Sequence, residues 1–230
     1  MAYTNSSLVT YKNLSPHKTS PRGHKIDTIS IHCIVGQWTA RQGCDYFATT
    51  NRKCSANYVV GKDGSIGLSV EEKNRSFCSS NKANDHRAIT IEVASDTTHP
   101  YVVTDKALNA LIELIADICK RNKIKELKWK SDKSLIGQVD KQNMTVHRWF
   151  ANKSCPGDYL YNKHSYIAEQ VNKKLGVAPL SPKKSLDDWA KEVIVGKHGN
   201  GHTNREKSLK KSGCTYSYAK VRARVNELLR

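Results

Sequence analysis

His147 stands eight positions before Cys155 in the run VHRWFANKSCPGD, with Lys153 between them and a Pro-Gly turn directly after. Imidazole and thiolate are both good zinc ligands, and a lysine beside them can stabilise a developing negative charge. A His and a Cys at this spacing are a weak signal alone. They gain weight from His32 and Glu92, each placed in a strand-like run upstream. In KIDTISIHC, Ile29 and Ile31 point one way and Ser30 and His32 the other. In RAITIEVAS, Ile89, Ile91 and Val93 share one face, and Thr90 and Glu92 the opposite one. Glu92 is the one carboxylate set inside a strand pattern. A carboxylate held there usually has a partner or a job, because an unpaired buried charge is costly.

The elements that must position these groups follow from the same periodicities. Residues 1–24 are polar, broken by Pro16, Pro21 and Gly23, and read as an extended lead-in. Thr39 to Asn51 is loosely helical, with Trp38, Phe47 and Ala48 expected to be buried. NYVVGKDGSIGLSV reads as a β-hairpin, with Tyr58–Val60 as one arm, Lys62-Asp63-Gly64 as the turn, and Ile66 and Leu68 on the return. Tyr58 is expected as a packed strand aromatic. Residues 76–87 read as a Ser/Asn/Lys-rich loop. Thr104 caps a strong amphipathic helix carrying Leu108, Leu111, Ile112, Ile115, Ile118 and Cys119, with Lys120 and Arg121 at its favourable end. A basic loop (123–141) precedes the His147–Cys155 run, and Asp158 to Leu175 suggests a further helix. Strands alternating with helices indicate an α/β domain over residues 1–175, a mixed central sheet flanked by helices.

Residues 176–184, within GVAPLSPKK, read as a linker. Residues 185–230 read as a small three-helix bundle. Ser185 with Asp188 and Thr203 with Glu206 have capping-box spacing, and Ser217 opens the last helix. Leu186, Trp189, Val193, Leu209, Val221, Val225 and Leu228 are the expected core. His198 and His202 lie in a loop and are read as solvated rather than as a second metal pair.

Composition narrows the partners. The 230 residues carry a net charge of +17 and a pI near 9.6, which favours polyanions: nucleic acid, anionic membrane or anionic wall polymer. Residues 181–230 hold twelve Lys+Arg against five Asp+Glu, a net of +7, so the excess is dispersed, which argues against a dedicated nucleic-acid groove. No apolar run approaches the roughly 20 residues of a membrane span, and MAYTNSSLVTYKN lacks the apolar core of a signal peptide. The expectation is synthesis in the cytoplasm without a signal peptide. The seven cysteines have no framework spacing and are expected to be reduced, with Cys119 packed in a helix.

DTISIHC, the NYVVGKDGSI hairpin, AITIEV and the H…KSCPG segment, in that order and spacing, resemble the type 2 amidase fold over roughly residues 25–175. That superfamily contains zinc N-acetylmuramoyl-L-alanine amidases, phage lysozyme-type amidases and peptidoglycan recognition proteins. The resemblance implies His32, His147 and Cys155 as zinc ligands, with Cys where other members have Asp. Some members use a catalytic Tyr at the position occupied here by Ala56, and others a strand Glu. The resemblance therefore assigns catalysis to Glu92, with Lys153 matching the lysine beside the metal ligand.

WAKEVIVGKHGNGHTNREKSL and VRARVNELL resemble the choline-independent cell-wall-binding repeat of certain phage lysins. That likeness implies GKHGNGHTNR as the wall-contact loop, with Gly199, Asn200 and Arg205 as contact residues. Together the two resemblances imply a peptidoglycan hydrolase acting on bacterial, most simply Gram-positive, walls after holin-type release. No nucleic acid is expected as a partner. Two other readings compete: a non-catalytic peptidoglycan-binding protein, and a zinc-containing nucleic-acid binder.

Overall fold

The computed structural model describes residues 3–177, 184–214 and 216–229. They divide into two compact units, the first ending at Val177. Residues 178–183 of the expected linker lie outside the described residues.

The first unit begins with two short strands, β1 (Tyr11–Lys12) and β2 (Lys18–Thr19), followed by β3 (Thr28–Val35) and α1 (Ala40–Thr49). The hairpin is β4 (Tyr58–Val60) and β5 (Ile66–Leu68), and Gly64, at φ 85°, makes its turn. Then come β6 (Arg75–Ser76), α2 (Lys82–Arg87), β7 (Ala88–Ser95), α3 (Asp105–Arg121), β8 (Met144–Val146) and α4 (Gly157–Lys174). Six strands form one sheet in the order β1-β5-β4-β7-β3-β8, and β2 pairs with β6 separately. β3 lies parallel to both β7 and β8, β7 is parallel to β4, and the hairpin arms are antiparallel, so the sheet is mixed. Helices flank it, giving the expected α/β class.

Central parallel strands covered on both sides bury nearly every residue, and β7 does so at all positions but Glu92. Ile29, Ile31, Ile89 and Ile91 meet Leu111, Leu114, Ile115 and Ile118 of α3, and Leu160 and Ile167 of α4, in one continuous core. Thr39 caps α1 through a reciprocal bond with Gln42, and Thr104 caps α3. Phe47 is buried as expected, whereas Trp38 and Ala48 are only half-buried.

Two stretches hold more structure than their composition suggests. The lead-in supplies β1 and β2, and its Arg22, only 5% exposed, donates to the carbonyls of Glu72, Asn74, His86 and Ala88. The 76–87 segment contains α2, capped by Asn81. Both escape a periodicity reading because β1, β2 and α2 are too short to show a repeat.

The second unit is three helices, α5 (Leu186–Ile194), α6 (His202–Lys211) and α7 (Tyr218–Leu228). Ser185 and Asp188 form the expected capping box, and Ser217 caps α7. The Thr203 cap is corrected: α6 starts one residue before it, with Gly201 at φ 83° as the N-cap and no side-chain bond. Trp189, Ala190, Val193, Leu209, Val221 and Val225 form the core, while Leu228, the last residue of α7, is 37% exposed. Among the described residues no helix is long and apolar enough to cross a membrane.

Tyr58 is buried, and its hydroxyl donates to Glu72 Oε1 at 2.6 Å while accepting the Ser6 amide. Glu72, fully buried, also accepts from Arg121 at 2.6 Å and Asn122 at 3.0 Å. Removing one member of a buried pair strands the other charge. Glu72→Ala should therefore cost about 3 kcal/mol in urea unfolding.

Candidate functional site

The site is built on the register of two strands. His32 of β3 pairs directly with Glu92 of β7, so both side chains leave the same face of the sheet as neighbours. His32 is fully buried, and Glu92 keeps 15% of its side chain accessible. Ser30, two residues before His32 on the same face, places its hydroxyl 3.0 Å from His32 Nε2 and donates weakly to the Thr145 carbonyl at 3.4 Å. A hydroxyl has one proton, so Ser30 Oγ accepts from Nε2–H. This fixes the tautomer and leaves the Nδ1 lone pair free. Nδ1 faces Cys155 Sγ at 3.4 Å and Glu92 Oε1 at 4.0 Å.

His147 and Cys155 arrive from β8, which pairs with β3 on its other side up to Ile31–Val146. The chain leaves β8 in a short 3-10 turn, His147–Trp149. It returns so that the Arg148 amide donates to the Cys155 carbonyl at 3.0 Å. The Arg148 guanidinium clamps the same loop through the Ser154 carbonyl and Asp158 Oδ1. Gly157, at φ 79° and packed against Tyr101, turns the chain into α4, where a side chain would collide with the ring. One donor atom from each of His32, His147 and Cys155 thus lies within 4.8 Å of the others. Lys153 is exposed in the loop between His147 and Cys155.

Burial sets the charge states. The His32 imidazole is pushed down to about 3, mainly by desolvation and then by His147 and His164. His147 is lowered by desolvation and by the charge of Lys153, so both rings are neutral at neutral pH. The Cys155 thiol is held well above its ordinary range by its hydrogen bond with Cys33 and by burial. Desolvation raises Glu92 to about 7, opposed by the Cys78 thiol. Glu92 Oε2 is buried without a partner. Two neutral imidazoles and a thiol converging beside an orphaned carboxylate oxygen match the donor set of a three-ligand zinc site, and a bound cation would lower the thiol's pKa. Sequence reasoning passed over Ser30, Cys78 and Ser80. Only the position of Ser30, on the His32 face, carried a signal for any of them.

In the second unit, Gly199 and Gly201 hold positive φ, and the Arg205 guanidinium donates to the Gly199 carbonyl at 3.0 Å, closing the loop that carries Asn200. His198 is corrected from solvated to buried: it sits against Trp189, with Ser208 Oγ 3.0 Å from Nδ1 and Glu192 Oε2 3.4 Å from Nε2. His202 instead meets the Tyr218 hydroxyl at 2.8 Å.

The family model described as N-acetylmuramoyl-L-alanine amidase matches residues 22–158, more than half of the chain, and the CW_7 repeat model matches residues 187–229. Among solved structures, PlyL is similar with a TM-score of 0.53 at 16% identity, over 70% of this chain and 95% of that one. The PlyG catalytic domain is similar with a TM-score of 0.51 at 14% identity, over 76% and 98%. At such identities the likeness concerns the fold. No curated protein matches the sequence.

In protein stripped of metal, folded Glu92 keeps its proton to about pH 7, whereas its ordinary value is 4.5. The folded state then binds more protons across that window. The stability this carboxyl contributes is fully present below pH 4.5 and lost as pH rises to about 7. His32 and His147 titrate in wild type and Glu92→Gln alike and drop out of the difference. Above pH 7 the stripped variant should exceed stripped wild type by on the order of 3 kcal/mol, with the two urea-unfolding curves converging at acid pH.

Proposed function

Because the chain belongs to the N-acetylmuramoyl-L-alanine amidase family, we propose that it cleaves the amide joining N-acetylmuramic acid to L-alanine in bacterial peptidoglycan. The observation that carries this reading is the convergence of His32, His147 and Cys155 beside the unpartnered oxygen of Glu92. Those three side chains would hold zinc, which supplies the Lewis acidity to activate a water and polarise the scissile carbonyl.

The chain's own residues do the rest. Glu92, whose Oε1 lies 4.0 Å from His32 Nδ1 and whose pKa is near neutrality, takes the proton of the attacking water. A C–O bond forms at the lactyl carbonyl as the C–N bond to alanine breaks, and Glu92 returns the proton to the leaving amine. Lys153, whose charge already acts on His147, stabilises the developing oxyanion. The burial of His32 keeps its ring neutral and able to donate its lone pair. Ser30 holds that ring in the tautomer required.

The second unit is proposed to retain the enzyme on the wall through Gly199, Asn200 and Arg205, and the CW_7 match over residues 187–229 supports this. The net charge of +17 adds attraction to anionic wall polymers. A Gram-positive wall, reached from the host cytoplasm through a holin-type pore, is the setting that fits this reading best.

Purified walls incubated with the protein should release stem peptides with a free L-alanine amine, identified by mass spectrometry, and a chelator should abolish the release. Glu92→Gln and Lys153→Ala should fold and bind zinc, yet lose on the order of 10²–10³ in rate. Walls that are bound but release nothing, with or without zinc, would instead favour a non-catalytic binding protein. Arg205→Ala, which frees the Gly199 loop, should weaken co-sedimentation with walls and leave cleavage of soluble fragments intact.

A further inference from the structure

The segment between β6 and α2 supplies neither ligand nor proton carrier in the reading above, yet it touches both. Cys78 Sγ lies 3.7 Å from Glu92 Oε1, and Ser80 Oγ lies 2.9 Å from His147 Nε2. Resting on the amidase reading, we propose that Cys78–Ser80 is a positioning loop. In this arrangement the Cys78 thiol donates to Glu92 Oε1, the carboxylate oxygen 4.0 Å from His32 Nδ1, and so fixes how the carboxylate faces the metal ligands. The Ser80 hydroxyl accepts Nε2–H of His147, leaving Nδ1 for the metal.

The loop is built to hold this geometry. Asp85, 2% exposed, accepts the amides of Cys78 and Ser79 at 3.0 and 3.1 Å and the Ser79 hydroxyl at 2.6 Å. Asn84 bonds Ser79 Oγ at 3.1 Å and accepts from Thr145 Oγ1 at 2.9 Å, tying the loop to β8, the strand that delivers His147. Ser80 itself sits at φ 60°, a left-handed conformation that costs a non-glycine residue energy and persists only when its surroundings impose it. A donor atom of Cys78 lies within 4.8 Å of those of both His32 and Glu92, so the thiol stands at the inner wall of the site. A neutral thiol also suits the position chemically. A lysine or arginine there would hold Glu92 ionised too firmly for it to receive a proton.

The test uses full-length wild type, Ser80→Ala, Ser80→Gly, Cys78→Ala and Cys78→Ser. Ser80→Gly relieves the backbone while removing the hydroxyl, so its metal-free form should unfold no earlier than wild type. Both Ser80 variants should nevertheless bind zinc about 10–100-fold more weakly in competition with a chelator. Cys78→Ala should lower kcat on soluble wall fragments about tenfold with KM unchanged, and Cys78→Ser, which keeps a donor, should recover most of it. Wild-type zinc affinity in both Ser80 variants, or a Cys78→Ser no better than Cys78→Ala, overturns the proposal while leaving the amidase reading intact. A wild type that neither binds zinc nor releases stem peptides overturns that reading, and this inference with it.

Discussion

The in-register pairing of His32 with Glu92 is the constraint on which the rest of the arrangement depends. In a parallel sheet a slip of one residue would send one of the two to the opposite face, among Ile29, Ile31, Ile89 and Ile91. The apolar packing of α3 and α4 therefore fixes more than stability. It locks the register, and the register places an imidazole and a carboxylate side by side. β8 then needs to add only three paired residues beside β3 to bring His147 to the same end of the sheet.

Without a cation, the surroundings of these groups set unusual charge preferences. Both imidazoles are kept neutral, the Cys155 thiol keeps its proton, and Glu92 titrates near neutrality instead of in the ordinary carboxylate range. Withdrawal from water leads the shifts of both imidazoles and of Glu92, and the hydrogen bond with Cys33 leads that of Cys155. Together they create a place where negative charge is costly until a cation compensates it. The same desolvation that penalises the isolated groups strengthens their attraction to such an ion.

Much of this was legible in the sequence because long elements advertise themselves. The alternation in KIDTISIHC and RAITIEVAS placed His32 and Glu92 on the polar faces of two strands, and the helical repeat from Leu108 to Cys119 gave α3. The hairpin turn was marked by its glycine. What stayed hidden lies in short or irregular backbone. Cys78 and Ser80 reach the cluster through a segment with no period, and their contacts depend on Asp85 and Asn84 closing a loop that composition describes only as polar. Arg22 was hidden for the same reason, since four backbone carbonyls leave no signature in side-chain types. His198 looked solvated beside three glycines, but Trp189 and Ser208 draw it inward. Helix starts were legible where a side chain caps them and misplaced by two residues at α6, where a glycine does.

The two margins of the main sheet are stubs: β1 has two residues, one of them Lys12, and β8 has three before the chain coils away. A neighbouring molecule seeking to extend the sheet by strand addition would find almost no template, and at the β1 side a lysine ammonium as well. For a protein proposed to gather at high density along an anionic polymer, that geometry lets copies crowd together without zipping into fibrils, so local enrichment need not end in aggregation.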